Sequence, residues 1–419
     1  MDLLSYKSKG DKKNSDFFWE SLDRIYRWRK AKGLDQVLGK MRAILLQVSS
    51  GNALSYLQEL YMMTPYRLQA CYKNKTHSIY VLHNTDASPK YIVLEPHSPD
   101  FEDESTCFNK LYPLTDQTPQ AHYIGEVYHA GQIDEAKSIL MAQNVSFLEH
   151  DRSPNDFFSN QNFLFTRLSP YTGNRVGYTH STMQDIDALE LGTPFSLSQD
   201  AYSKLNVAGN FATEHGFEKI LLGVDHCATR VLSSSRECAI LEFTLMSNYY
   251  FWGAFNISDM NSSTNVTRYA GEEESSDTDS PAKVFTANNT PYFVNAFEGK
   301  PMPTEEFVLN LGPRMHHIAQ AVADGEHSGQ KNIDYVVSVL KSDAGINFLA
   351  KIFGECKEPD LKQIFSKRSR YSLLITEYIQ RCFGYDNFFT KANVAALTEA
   401  AGADEQIKQR MDQHGHVFD

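Results

Sequence analysis

Between residues 14 and 41 the apolar positions Phe17, Trp19, Leu22, Ile25, Tyr26 and Trp28 recur near helical spacing, which predicts one or two amphipathic helices. From Ile44 the rhythm changes. Short runs rich in β-branched and aromatic residues, at 43–50, 79–83 and 91–96, predict strands, and 51–63 predicts a helix. The motif then returns as a strand at 121–130, a helix at 133–143 and a hairpin over 163–180. A third unit opens with ILLGVDHCATRVL (220–232) and includes VFTANN and PYFVNAF; a fourth runs through 314–322, 333–353 and 361–381. Units two and four each open on a His-x-Ile strand, continue with a helix beginning Ile-Asp, and close in the hairpins FTRLSPYTGNRVGYTH and FSKRSRYSLLITEYIQ. Repetition of this kind predicts an α+β chain of four βαβββ-type units forming two domains, each an open barrel of mixed strands.

The length, 419 residues, exceeds what one hydrophobic core usually organises and agrees with two domains. The boundaries expected are a helical extension over 1–42, a first domain over 43–185, a linker over 186–219 and a second domain over 220–419. Two stretches stand apart. NSSTNVTRYAGEEESSDTDS (261–280) is acidic, Ser-rich and without large aliphatics, so it is expected to be a solvated loop between strands. The end of the chain, with His414 and His416, reads as a disordered tail rather than a metal site.

Composition is that of a globular protein, with 42% hydrophobic and 22% charged residues. The net charge of −12 is carried with scattered Lys and Arg, which argues against nucleic acid or an anionic membrane as partner. No apolar run approaches membrane-spanning length, and the lysine-rich start lacks a signal-peptide core, so a cytoplasmic protein is expected. The six cysteines are far apart with no CxxC pair, and reduced, mostly buried thiols are the expectation.

The candidate chemistry begins with one carboxylate. Alternation in YSLLITEYIQ places Leu373, Ile375, Glu377 and Ile379 on one strand face. Burying that carboxylate unpaired would cost roughly 1–3 kcal/mol or more, so it needs a salt bridge, an edge position or a cation. His226, in LLGVDHCATRV, and His317, on a face with Met315 and Ala319, lie in similar apolar settings. Either alone is ordinarily a core histidine. Together with Glu377 they form two imidazoles and a carboxylate from three strands of one domain, the ligand set of non-haem iron(II) oxygenases, which leaves up to three cis positions open. The spacings of 91 and 60 residues form no local motif, and fourteen histidines allow many triples.

The segments GVDHCATRV (223–231), GPRMHHIAQAV (312–322), LKQIFSKRSRYSLLITEYIQR (361–381) and FFTKANVAALTEA (388–400) resemble, in order and spacing, those of the 4-hydroxyphenylpyruvate dioxygenase family of the vicinal oxygen chelate superfamily. The resemblance covers the chain from about residue 40. It implies that His226, His317 and Glu377 hold Fe(II), that O₂ is a co-substrate, and that helix 388–400 acts as a lid. It further implies substrate contacts from Ser280, Asn295, Gln363, Phe365 and Phe389. The chain departs from the family pattern at His316, which follows Met315 where a glutamine is usual and competes with His317 as ligand, and at Phe293, Ile375 and Val394. The N-terminal domain is expected to lack metal, with Tyr123 in the place of His317 and no matching carboxylate.

The implied reaction is oxidative decarboxylation and hydroxylation of a 2-oxo acid, with 4-hydroxyphenylpyruvate giving homogentisate. Three alternatives stay open: another aromatic or aliphatic 2-oxo acid, or benzylic hydroxylation as in 4-hydroxymandelate synthases; extradiol ring opening; and a non-catalytic paralogue that binds metal or ligand. A homodimer or larger homo-oligomer is implied.

Overall fold

The computed structural model describes residues 2–148, 157–271, 280–291 and 303–402. The first unit is β2 (Leu38–Gln47), helix α3 (Ala53–Met63), β3 (Arg67–Lys73), β4 (His77–His83) and β5 (Lys90–Pro96). The second follows the short helix α4 (Glu104–Asn109) and comprises β6 (His122–Ala130), α5 (Ile133–Met141), β7 (Leu164–Phe165) and β8 (Arg175–Thr179). The third unit is β10 (Leu221–Arg230), α8 (Arg236–Met246), β11 (Tyr249–Ile257), β12 (Ser262–Tyr269) and β13 (Ala282–Asn288). Helix α9 (Pro303–Leu311) leads to the fourth: β14 (Arg314–Val322), a small hairpin β15 (Glu326–His327) and β16 (Gln330–Lys331), α10 (Asn332–Ser342), β17 (Asp360–Phe365) and β18 (Ile375–Cys382). Helix α11 (Lys391–Gly402) closes the described chain.

Units one and three have the expected βαβββ form. Among the described residues, units two and four keep only two strands after the helix, and the third strand is reduced to isolated bridges, Phe147 to Thr166 in unit two and Phe348 to Ser366 and Phe353 to Gln363 in unit four. With two short edge strands, β1 (Lys9–Gly10) and β9 (Thr193–Pro194), the strands assemble into two eight-stranded mixed sheets of the same order, β7-β8-β6-β2-β5-β4-β3-β9 and β1-β11-β12-β13-β10-β14-β18-β17 read from the opposite end. In each, two units join antiparallel through their first strands, and each unit's first and last strands run parallel. The edge strands differ in origin. β9 (Thr193–Pro194) comes from the linker region, whereas β1 (Lys9–Gly10) comes from the N-terminus and pairs with β11.

The N-terminal segment therefore serves the far half of the chain. Helix α1 (Lys12–Lys32) packs on α8 and β11, and a short turn of helix, α2 (Leu34–Val37), delivers it to β2, which starts at Leu38 inside the stretch expected to be helical. The long helix α6 (Gln199–Glu214) packs on α3, and α7 (Phe217–Ile220) leads into β10. None of the described helices is long and apolar enough to cross a membrane.

Two expectations are corrected. Residues 262–269, read as solvated loop, are strand β12, with Ser262 to Thr267 all buried; hydroxyl and amide side chains fill this strand because its neighbours satisfy them, Thr267 Oγ1 donating to the Lys283 carbonyl at 2.9 Å. The remainder of that segment, 272–279, lies outside the described residues, as does the tail. Second, Cys356 and Cys382 form a disulfide, with Cα atoms 5.5 Å apart, where free thiols were expected. The pairing had no local signal, since 26 residues separate them and only the return of β18 beside the segment before β17 brings them together.

The halves interlock. In the second hairpin Tyr178 donates to the Met246 carbonyl at the end of α8 (2.6 Å), and in the fourth Tyr378 donates to the Met63 carbonyl at the end of α3 (2.8 Å). Ser169 bonds Glu242 of α8, and Ser369 donates to Glu59 of α3 at 3.1 Å. Each hairpin is thus docked on a helix of the other half.

Candidate metal centre

Three neighbouring strands place the three expected ligands. In register, His226 of β10 lies opposite Ala319 of β14, and Ala319 opposite Glu377 of β18. Ala319 carries only a methyl group, so the space between His226 and Glu377 stays open. His317 stands one step along β14, opposite Ile375. Of three bulges between β10 and β14, two lie beside the expected ligands. The β10–β14 pairing slips at Asp225 and again at His316, and an extra residue at a bulge re-aims its neighbours. Regular alternation would turn His316 away from His317, yet both line the same cavity.

The donor atoms form a nearly equilateral triangle. His226 Nε2 is 3.2 Å from Glu377 Oε2, His317 Nε2 is 3.1 Å from it, and the two Nε2 atoms are 3.3 Å apart. Three cis positions of an octahedron with metal–ligand bonds of roughly 2.1–2.2 Å have edges of about this length. Among the described residues this is the group of histidine, cysteine and acidic side chains able to hold an ion. All three are buried. The competition between His316 and His317 is decided by position: the Nδ1 of His316 sits 2.7 Å from the Nδ1 of His317, behind the ligand nitrogen.

Each ligand is also held from behind, as metal-binding imidazoles usually are. Asp225 Oδ1 lies 2.7 Å from His226 Nδ1, and Arg381 clamps the same carboxylate with Nη2 3.2 Å from Oδ1 and Nη1 on Oδ2. Gln363 Nε2 donates to Glu377 Oε1 at 2.6 Å, leaving Oε2 for the histidine side. Charge follows this geometry. Burial lowers the His226 pKa, but Glu377 and Asp225 more than reverse it and hold it near 9. Burial would raise Glu377, but the two imidazoles bring it down to about 2. Asp225 is held well below the usual carboxylate range, its burial outweighed by Arg381 and His226. A carboxylate kept ionised beside two imidazoles in a buried site fits a divalent cation.

The cavity has a volume of about 50 Å³, room for a few water molecules, so an organic substrate has to displace wall side chains on entry. Gln363, Phe365, Phe389, Val394 and His316 line it. Phe365 packs on His317 with ring centroids 4.8 Å apart, and Phe389 meets His226 edge-on at 5.3 Å. Ile375 is buried behind this wall with Phe365 and Leu397. Leu373, expected on the Glu377 face, lies in the turn before β18 with φ +62°. Helix α11 covers the opening with Val394, Leu397 and Thr398, spaced along one helical face, and Thr390 Oγ1 accepts from the Asn393 N–H (3.1 Å) at its start. Phe293 and Asn295 lie outside the described residues. Ser280 is not brought to the cavity: its Oγ accepts from the Met41 N–H at 2.9 Å and bonds Tyr249, between the two sheets. With 262–269 folded as a strand, Ser262, Thr264 and Thr286 take the hydroxyl positions on the cavity wall instead.

Sequence reasoning missed Asp225, Arg381, Arg230 and Asn288. Asn288, fully buried, follows Val284 and Thr286 on the cavity-facing side of β13, and neither its amide nitrogen nor its oxygen has a partner among the described residues. The signal for Asp225 was present in the Asp-His pair; nothing local marks the others.

The other sheet shows what the same architecture looks like without the site. Ala43, Val127 and Gly177 occupy the row equivalent to His226, Ala319 and Glu377, and the pairing puts Gly125, rather than Tyr123, in the place of His317. Aligning the two His-x-Ile sequences therefore sets the strands two residues out of the register they adopt. Phe157, Phe158, Phe163 and Phe165 fill this half, and a side chain at Gly177 would meet the Phe165 ring at 2.6 Å.

No protein-family model matches the sequence, and no curated protein does. Solved structures do match the fold. A triple mutant of 4-hydroxymandelate synthase from Streptomyces coelicolor superposes with a TM-score of 0.59 at 15% identity, over 88% of this chain and 99% of that one. A fusion protein of a xylose isomerase-like TIM barrel and 4-hydroxyphenylpyruvate dioxygenase superposes with a TM-score of 0.54 at 12% identity, over 94% of this chain and 60% of the fusion. The fold is the two-domain vicinal oxygen chelate fold.

Proposed function

We propose that this chain is an iron(II)-dependent dioxygenase that oxidatively decarboxylates and hydroxylates a 2-oxo acid. The observation that carries the reading is the buried triangle of His226 Nε2, His317 Nε2 and Glu377 Oε2, with its supporting groups in place. When bound there, iron(II) supplies the chelation of a 2-oxo acid and the activation of O₂. The protein's own part is positional. Asp225, fixed by Arg381, keeps the His226 ring oriented so that Nε2 faces the site, and His316 does the same for His317. Gln363 holds Glu377 through one oxygen while its own buried Oε1 meets no partner among the described residues, which leaves it to accept from a substrate. Phe365, Phe389 and helix α11 exclude water, which protects the site from side reactions.

4-Hydroxyphenylpyruvate, converted to homogentisate, is the first substrate to assay. Benzylic hydroxylation to 4-hydroxymandelate is the second reading, because the synthase for that reaction has the same fold along its full length. The chain is expected to act as a homodimer or larger assembly. Anaerobic reconstitution with Fe(II), followed by the 2-oxo acid, should give a weak visible charge-transfer band. Admitting O₂ and identifying the product then separates the two outcomes. Failure to bind iron, or unchanged turnover in Glu377→Ala, would sink the proposal.

A further inference from the structure

A second hollow reaches the ligand strands from the other side of His226. It is a cleft of about 730 Å³, against about 50 Å³ for the cavity at the ligand triangle. Among the described residues, Thr85, Ala87, Leu222 and Asp386 form its exposed rim. The same strands wall both spaces. On β13 Ala282 lines the cleft and Val284 the cavity; on β14 Ala321 lines the cleft and His317 the cavity; on β18 Arg381 lines the cleft and Glu377 the cavity. His226, paired with Ala282, stands at the boundary, with Nδ1 turned to Asp225 of the cleft and Nε2 in the triangle.

The partition between them is one side chain thick. Phe388 lines the cleft and Phe389, the next residue, lines the cavity. Their rings meet edge to face at 4.7 Å, and both pack on His226, at 5.6 and 5.3 Å. Trp252 stands beside Phe388 at 6.0 Å. The rest of the partition is the Asp225–Arg381 ion pair, whose guanidinium stacks on the Phe388 ring at 5.1 Å and donates to the Phe388 carbonyl at 3.3 Å. That pair is charged and held by hydrogen bonds, so the apolar part of the wall is the Phe388 ring. On the opposite side helix α11 covers the cavity. A 2-oxo acid seated beneath it fills the little space there is, and O₂, the second reactant to arrive, meets a stoppered cavity from the side of the lid.

We infer that O₂ reaches the metal centre through the cleft, past Phe388, while the 2-oxo acid enters beneath helix α11. The inference rests on the 2-oxo acid reading above and adds a second entrance to that site, with Phe388 as its gate. A small apolar molecule needs only the gap that rotamer motion opens in a packed aromatic wall. A 2-oxo acid is kept out of the same gap, because its carboxylate would lose its water between aromatic rings without gaining a partner.

Nitric oxide, a diatomic that binds Fe(II) without turnover, is the probe, applied anaerobically to the Fe(II)-loaded full chain. In the wild type its uptake rate should agree within about twofold whether the site holds 2-oxobutyrate or the bulkier phenylpyruvate, since neither acid lies on the route. Phe388→Trp should slow uptake about tenfold with either acid bound, and Phe388→Ala should quicken it. Acid affinity, read from the visible band, should stay the same in both variants. If Phe388→Trp does not fold, the wild-type comparison and Phe388→Ala decide. A rate that drops about tenfold with the bulkier acid, or that is unchanged in the Phe388 variants, overturns the inference and leaves the 2-oxo acid reading intact. Slower uptake matched by an equal loss of acid affinity overturns it as well, because the substitution has then distorted the site. The absence of any band with both acids overturns the 2-oxo acid reading, and this inference with it.

Discussion

His226 is held at both ring nitrogens, by Asp225 on Nδ1 and by its neighbours in the ligand triangle on Nε2. A ligand fixed this way loses little freedom on meeting a metal, and the cost of orienting it falls on residues that never touch the ion. Asp225→Asn keeps the side-chain shape but removes the charge and allows the amide to present its N–H to the ring. Iron affinity should fall about 10- to 100-fold, measured by competition with a chelator, while circular dichroism stays unchanged. At this scale the sequence showed the residue types of the site and could not rank them. Glu377 stood out because a carboxylate among aliphatics needs an explanation, whereas Arg230 and Asn288 looked like ordinary strand residues. Their meaning depends on which side of the sheet is hollow.

Strand register decides that at the scale of elements. Ala319 separates His226 from Glu377 across β10, β14 and β18, and its small size is what the row requires. Ala319→Leu should abolish iron binding with all three ligands intact, at a stability cost of about 1–3 kcal/mol from overpacking; iron stoichiometry and urea denaturation would check both halves of that statement. The bulge at His316 explains why adjacent histidines face one cavity, whereas the match of Gly125 with His317 follows from the strand pairing, a bulge lying at the same place in both sheets. A bulge shifts every later side chain by one position without leaving a mark in hydrophobic alternation. The misreading of 262–269 has a related cause. Polar side chains usually mean exposure, but β12 is a buried strand whose hydroxyls face a polar cavity or bond a neighbouring strand.

For the whole molecule, the two sheets are tied together by buried polar contacts. Lys283 of β13 and Glu126 of β6 form a buried ion pair between the sheets, and Lys283 also lies 5.7 Å from the Tyr123 ring. Lys283→Met leaves Glu126 buried without its partner and should cost roughly 3–5 kcal/mol, while adding Glu126→Gln should recover much of the loss. Denaturant titration of the single and double variants would show this. Glu59 of α3 accepts from Ser369 in the hairpin that carries Glu377. Burial raises its pKa to about 7, with Ser369 and Arg370 opposing only in part. The folded state therefore keeps a proton that the unfolded state releases near 4.5. This contribution falls as pH rises from about 4.5 to 7 and is flat beyond. Relative to wild type, Glu59→Gln should gain stability across that window and remain the more stable above pH 7; a stability difference that does not change between pH 5 and 8 would contradict it.

The sequence by itself determined the repeat, the strand and helix types of most elements, and, through the resemblance, which two histidines to set beside Glu377. Those features are local or periodic, and periodicity survives in one dimension. The tertiary structure alone decided what surrounds those three side chains, the Asp225–Arg381 clamp and the open row at Ala319, and, elsewhere, the Cys356–Cys382 bond. These are meetings between residues 26 to 156 positions apart, or the consequence of a one-residue shift in register. Such contacts are set by the pairing of strands from different units, which leaves no trace in the spacing of residues along the chain.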